Sequence, residues 1–266
     1  MPKNIGKVHK YLLEIAREQN FAHLTLIDPD PMKVDFDSLP RVIKAIDEGG
    51  SSAFMLGGST AFDRFFLEKV IDAIKEGSDK PIILFPGNIA GVTPKADALF
   101  FLSVLNSRNP YYIIGAQMIS SPFIKKWGIE TISLAYILVE PGGTAGFVSD
   151  ASLIPRNKPE LAVCYATAAE LIGFDMVYLE AGSGADSPIP LKMIGAVRKF
   201  VDIPIIVGGG IKTPEQAASV VAAGATFIVQ GTKFEEEAKL GQFDKIKKMT
   251  QITIETIKEG VRRRNM

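Results

Sequence analysis

Eight short, unbroken apolar runs recur along the chain, and they limit its fold more than any other feature. They cover residues 23–28, 52–57, 81–87, 98–104, 132–140, 176–181, 204–209 and 227–232. A strand with one solvated face alternates polar and apolar residues, whereas a continuous run means both faces are buried, as in a parallel sheet covered by helices. The segments between the runs supply the cover: 39–48, 62–75, 161–172 and 214–223 carry apolar stripes at helical spacing. Strands alternating with helices, and no linker-like stretch, predict one α/β domain over residues 1–266, a (β/α)8 TIM-type barrel with a C-terminal helix. An open doubly wound sheet is the alternative architecture. Apolar residues make up 47% of the 266, enough to fill a core of that size.

One interval breaks the rhythm. The third and fourth runs begin at Pro81 and Ala98, only 17 residues apart, while a strand–helix–strand unit takes roughly 30. The intervening residues 88–97 contain Gly91 and Pro94, which oppose a covering helix. The third helix is therefore expected to be missing. The barrel wall beside the gap is rich in aromatic residues: Phe85, Phe100 and Phe101, with Tyr111 and Tyr112 just downstream. Two readings stay open: another segment or subunit covers the gap, or it is a groove for a long apolar ligand.

Active sites of such barrels sit at the carboxyl ends of the strands, and phosphates favour the last loops. Here the sixth run ends in Ala181-Gly182-Ser183-Gly184, the seventh in Gly208-Gly209-Gly210 and the eighth in Gly231-Thr232. Without a Cβ, backbone N–H groups can converge on an anion, helped by the following helix dipoles. One such cluster means little; three at consecutive strand ends predict a phosphate grip.

Polar residues at other strand ends are candidates for chemistry. Asp28, in Ile27-Asp28-Pro29-Asp30-Pro31, points toward the barrel mouth and suits Mg²⁺, which takes one or two carboxylates plus substrate phosphates. The plainer reading is an Asx turn or a helix cap, to which Asp30 is the more open. Ser59 and Thr60, after Gly57-Gly58, can complete the same site. Glu180 lies two residues after Tyr178, so both side chains share a face. Beside a phosphate and partly desolvated, Glu180 suits a general base; a structural ion pair is the alternative. His9 and His23 read as structural, and Cys164 as a packed helical residue.

Composition excludes some classes. Lys+Arg and Asp+Glu number 30 each, so no net field draws the chain to nucleic acid. Arg262-Arg263-Arg264 reads as a solvated tail after the last helix. A single cysteine, no bilayer-length apolar run and no signal-like N-terminus predict a cytoplasmic protein.

Several motifs go beyond these general features. They are the stretch His23-Leu24-Thr25-Leu26-Ile27-Asp28-Pro29-Asp30, Leu56-Gly57-Gly58-Ser59-Thr60 and Leu105-Asn106-Ser107. Tyr136-Ile137-Leu138-Val139-Glu140-Pro141-Gly142-Gly143-Thr144-Ala145-Gly146 and Tyr178-Leu179-Glu180-Ala181-Gly182-Ser183-Gly184-Ala185 follow. Together they resemble the geranylgeranylglyceryl phosphate synthase family, over nearly the whole chain. The resemblance implies a Mg²⁺-dependent prenyltransferase that joins a prenyl diphosphate, geranylgeranyl diphosphate above all, to the 3-hydroxyl of sn-glycerol 1-phosphate in ether-lipid synthesis. It assigns Mg²⁺ to Asp28 and Ser59, and glycerol phosphate to Tyr178, Leu179, Glu180, Ala181, Gly182, Ser183, Gly184, Gly209, Gly210, Gly231 and Thr232. Glu180, with Tyr178, is the catalytic group it implies, and Phe85, Phe100, Phe101 and Tyr111 line the prenyl groove. A dimer or hexamer, and peripheral membrane contact at product release, are further implications. An FMN-dependent oxidoreductase, or another phosphate-sugar barrel enzyme, is the competing reading.

Overall fold

A computed structural model describes residues 5–58, 63–231 and 235–264. Eight parallel strands form a closed barrel: β1 (Ala22–Ile27), β2 (Ala53–Leu56), β3 (Ile82–Leu84), β4 (Ala98–Val104), β5 (Glu130–Leu138), β6 (Met176–Glu180), β7 (Ile205–Gly208) and β8 (Phe227–Gln230). Each pairs with its neighbour in sequence, and β8 returns to β1 with Thr25 opposite Gln230. Closure leaves no free sheet edge. Every strand starts within two residues of the apolar run that predicts it.

Alternate side chains on each strand enter different cores. Met55, Phe100, Tyr136, Tyr178, Ile206 and Phe227 fill the barrel interior. Their neighbours Phe54, Leu179, Val207 and Ile228 face the helix layer. Helix α1 (Lys7–Gln19) plugs the N-terminal end, turning Val8, Leu12 and Ala16 onto the interior cluster. Gly6 offers α1 no side-chain cap, and Glu130 at the start of β5 supplies one, accepting from the Val8 N–H at 2.9 Å and the His9 N–H at 2.7 Å.

The outer ring is built from α2 (Leu39–Glu48), α3 (Arg64–Gly77), α4 (Ala116–Trp127), the short α5 (Gly143–Val148), α6 (Pro159–Ile172), α7 (Leu191–Arg198), α8 (Pro214–Ala222), α9 (Glu235–Lys239) and α10 (Phe243–Arg264). Between β3 and β4 only a 3₁₀ turn, Ile89–Gly91, occurs, so the third covering helix is absent as the spacing predicts. The flanking helices narrow the gap: the Arg64 guanidinium of α3 stacks 5.0 Å over the Trp127 ring of α4. Thr93 donates to Glu68 of α3 at 2.6 Å, which ties the short connection down.

Two expectations are corrected. Helix α10 continues to Arg264, so the arginine cluster belongs to the last helix and is no tail beyond it. Cys164 is exposed on the outer side of α6 and does not pack. Among the described residues no helix is long and apolar enough to cross a membrane.

Asn106 locks the C-terminal end of the sheet. Its Oδ1 accepts from the Leu138 N–H at 3.0 Å, and its Nδ2 donates to the carbonyls of Leu138 and Ser152 at 2.8 and 2.9 Å. The site is 2% exposed, so water cannot replace these bonds. Asn106→Ala is expected to cost about 2–3 kcal/mol of unfolding free energy. Urea denaturation measures it, and an unchanged midpoint would refute the assignment.

Candidate active site

The site is best built upward from its aromatic floor. Tyr136 and Tyr178 stand opposite each other in the β5–β6 register and point inward. Their rings meet edge to face at 5.1 Å, and Phe85, just past β3, stacks on Tyr178 at 5.5 Å and meets Tyr136 edge-on at 5.3 Å. Two residues beyond Tyr178 on the same face, Glu180 rises from this floor and is 6% exposed. Its Oε1 accepts from the Gly182 N–H at 2.6 Å, and the Tyr178 hydroxyl donates to the carboxylate. Burial pushes the Glu180 carboxyl above the ordinary glutamate range, and those two donors draw it partly back. Burial, with Glu180 adding to it, holds the Tyr178 hydroxyl well above the ordinary phenol value, so it stays a donor.

Glycines let this carboxylate fit. A Cβ at Gly208 would collide with the Tyr178 hydroxyl, and one at Gly209 with Glu180 Oε1. Gly209 and Gly210 also take positive φ, 79° and 71°, which L-residues rarely adopt. The loop after β7 thus wraps the carboxylate closely and then runs into α8, whose capping box pairs Thr213 with Gln216.

Across the mouth, Asp28 ends the first strand's loop with its side chain 36% exposed. Partial burial raises its carboxyl above the ordinary aspartate value, while the Lys33 ammonium, 3.4 Å away, lowers it. The Asx turn expected hereabouts belongs to Asp30, which accepts from the Met32 N–H at 2.9 Å, while Asp28 Oδ2 accepts from the Lys33 ammonium at the mouth. Among the described residues no three His, Cys, Asp or Glu side chains converge as a metal cluster. That donor set fits Mg²⁺ shared with substrate oxygens and does not fit an all-protein cage. Ser59, Thr60 and Thr232 lie outside the described residues.

A cavity of about 610 Å³ joins the two sides. Asp28, Phe85, Tyr178, Glu180, Ser183, Gly184, Gly209, Gly210 and Gly231 border it, so most of the sequence-predicted residues meet at one place. Leu179 and Ala181 turn instead into the helix-facing core. Phe100 is fully buried and points into the barrel, touching Phe85 edge-on at 6.4 Å, and it also borders a second, narrow pocket of about 40 Å³ beside the gap. Phe101 faces the gap and borders the same pocket. At the junction of the two spaces stand Pro86, Gly87, Leu102 and Tyr112, while Tyr111 borders neither. Tyr136, Thr144, Lys33 and Lys212 also border the cavity without having been assigned to it from sequence. For Tyr136 a signal existed in the alternation along β5, which gives it the parity of Tyr178.

A closed parallel barrel with a buried carboxylate and glycine loops at its C-terminal mouth defines the class, a (β/α)8-barrel enzyme. Within that class the chain belongs to the PcrB family, whose model matches residues 13–252. The geranylgeranylglyceryl phosphate synthase of Thermococcus sibiricus is 48% identical over 255 residues, covering 96% of this chain and 98% of that one. The enzyme of the same name from Methanosphaera stadtmanae is 48% identical over 245 residues, 92% of this chain and 98% of that one. A crystal structure of (S)-3-O-geranylgeranylglyceryl phosphate synthase from Thermoplasma acidophilum, in complex with substrate sn-glycerol-1-phosphate, superposes with a TM-score of 0.86. Identity to it is 37%, and the match covers 93% of this chain and 98% of that one.

The buried carboxyl has a thermodynamic signature. Because the folded state raises its affinity for a proton, Glu180 favours folding at pH below its unfolded value and loses that contribution as pH rises through the folded value. Glu180→Gln, neutral throughout, is therefore expected to stabilise the protein at pH 7, with the gain shrinking as pH falls through the raised folded value and gone below the ordinary glutamate range. Denaturation midpoints of both proteins from pH 4 to 7 test this; a constant difference contradicts it.

Proposed function

We propose that this protein transfers a geranylgeranyl group from its diphosphate to the 3-hydroxyl of sn-glycerol 1-phosphate, forming an ether and releasing diphosphate for ether-phospholipid synthesis. The observation that carries the reading is Glu180, a buried carboxylate wrapped by the glycine loops at the cavity floor. Family membership and the activity for which the relatives are named support it.

Each part of the chain has a task in this reading. The loops at Ser183, Gly184, Gly209, Gly210 and Gly231 present backbone N–H groups to the glycerol phosphate, with Thr232 as the expected partner beyond Gly231. Glu180 accepts the proton of the 3-hydroxyl as its oxygen bonds to the allylic carbon and the carbon–diphosphate bond breaks. The Gly182 N–H and the Tyr178 hydroxyl hold the carboxylate for that step. Asp28 and Ser59 are the residues to hold Mg²⁺, which neutralises the departing diphosphate when bound. Lys33 stands beside Asp28 and adds positive charge on the same side. The prenyl tail leaves the cavity past Tyr112 and Leu102 and lies along Phe101 in the gap of the missing helix. At about 40 Å³ that pocket is narrow, and Tyr112 stands where it meets the main cavity.

We also infer that the protein self-associates as a dimer or hexamer in the cytoplasm and meets the membrane only peripherally at product release. Leu161, Cys164, Ala168, Leu171 and Ile172 give α6 an exposed, largely apolar face with Glu160 at its N-terminal end, which supports the self-association. Leu171→Lys with Ile172→Lys should lower the mass seen in sedimentation; an unchanged mass removes α6 from the interface.

The deciding assay offers purified protein with Mg²⁺ and radiolabelled sn-glycerol 1-phosphate a series of prenyl diphosphates, beside Glu180→Gln. Butanol-extractable product peaking at geranylgeranyl, and a kcat lower by about 10²–10⁴-fold in the variant, is the expected result. Absence of product at every chain length would sink the reading.

A further inference from the structure

A buried hydrogen-bond chain runs along the helix-facing side of β1 and β8 and ends on the loop after β7. His23, Thr25 and Gln230 share that side by strand alternation, opposite to Leu24 and Val229 in the interior core, and Gln230, at the end of β8, also borders the main cavity. His23 Nδ1 faces the Ser51 hydroxyl at 3.2 Å, and Ser51 meets Thr25 Oγ1 at 2.8 Å. His23 Nε2 lies 3.1 Å from Gln230 Oε1, and Gln230 Nε2 lies 3.0 Å from the carbonyl of Ile211. Exposures of 1% for His23 and 3% for Gln230 keep water from substituting for either bond.

The direction of the chain follows from its end. A carbonyl only accepts, so the Gln230 amide nitrogen must face Ile211 and its oxygen must face His23. That oxygen also only accepts, so His23 Nε2 carries a hydrogen and donates. The histidine therefore fixes which way the amide points, and the amide fixes Ile211. The residues just before Ile211 are Gly209 and Gly210, both at positive φ and free of side chains that would hold them. Downstream, the Thr213–Gln216 capping box anchors the other end of the loop. Gly209 and Gly210 thus lie between the end of β7 at Gly208 and the anchored Ile211, which limits the shapes that this stretch can take before any ligand arrives.

We propose that His23 and Gln230 are positioning residues for the phosphate of sn-glycerol 1-phosphate, acting through the Ile211 carbonyl. The inference rests on the proposed placement of that phosphate at Gly209 and Gly210. Pre-forming the loop lowers the ordering cost of binding, so its loss raises KM for the phosphorylated acceptor and spares the prenyl donor, which is held across the mouth. In this respect the role differs from a merely structural one, which would lower stability and change both KM values alike.

The experiment measures kcat and both KM values with Mg²⁺ and geranylgeranyl diphosphate for four full-length variants, alongside their melting temperatures. Gln230→Glu keeps the acceptor toward His23 but turns a carboxylate on the Ile211 carbonyl. His23→Phe removes the donor, His23→Gln restores one, and Gly210→Ala disturbs the loop directly. Gln230→Glu and His23→Phe should raise the sn-glycerol 1-phosphate KM about tenfold, with the prenyl KM and kcat within about twofold, and His23→Gln should recover most of the loss. If His23→Phe fails to fold, Gln230→Glu decides. An unchanged acceptor KM in folded Gln230→Glu, with Gly210→Ala raising it, overturns the inference and leaves the phosphate placement intact. An unchanged acceptor KM in Gly210→Ala overturns the placement, and the inference with it.

Discussion

An ionised carboxylate taken out of water loses several kcal/mol of hydration unless donors replace it, and at Glu180 the replacements are one backbone N–H and one phenol. Much of the mouth follows from that requirement. Tyr178 must sit on the same face two residues earlier, and β7 must end in residues without side chains so that the pair can close against it. Gly182 must turn back to donate. The aromatic floor of Phe85, Tyr136 and Tyr178 keeps the dielectric low, which raises the proton affinity of the carboxylate and makes it a stronger base than a surface glutamate.

The opposite side of the cavity obeys a different demand. Asp28 is partly hydrated and leans on Lys33 at the mouth, while the turn is secured by Asp30. Burial raises both carboxyls above their ordinary values, but Asp28 keeps about a third of its side chain exposed and has the Lys33 ammonium beside it, whereas Glu180 has only its two neutral donors. The barrel brings them together: β1 and β6 are three strands apart around the ring, and Asp28 and Glu180 border the same cavity.

Much of this was legible in the sequence because its signals are local. Unbroken apolar runs report strands buried on two sides, and the Pro81-to-Ala98 interval reports the absent helix. The parity of Tyr178 and Glu180 reports a shared face. What escaped depends on register or on distant partners. Phe100 and Phe101 look alike in a run, and only the β4 register sends the first inward and the second toward the gap. Tyr112 rather than Tyr111 reaches the junction because residues Tyr111–Gly115 form a π-helical turn, in which ordinary helical spacing fails. Cys164 was taken for core because α6 is apolar nearly all round, a composition that does not tell its buried face from its exposed one. His23 and Gln230 are 207 residues apart, and nothing local announces that they meet.

The single turn of 3₁₀ helix between β3 and β4 has a consequence for how a long flexible molecule comes and goes. A tunnel through a complete ring of helices would have to be threaded from one end, each added carbon slowing entry and exit by another step of reptation. The pocket bordered by that turn and the edge of α4 has no third covering helix beside it, so in the proposed reading a chain is laid in or peeled out from the side. Residence time then scales with the contact made rather than with the path travelled, and the head group can remain fixed at the mouth while the hydrocarbon is still settling.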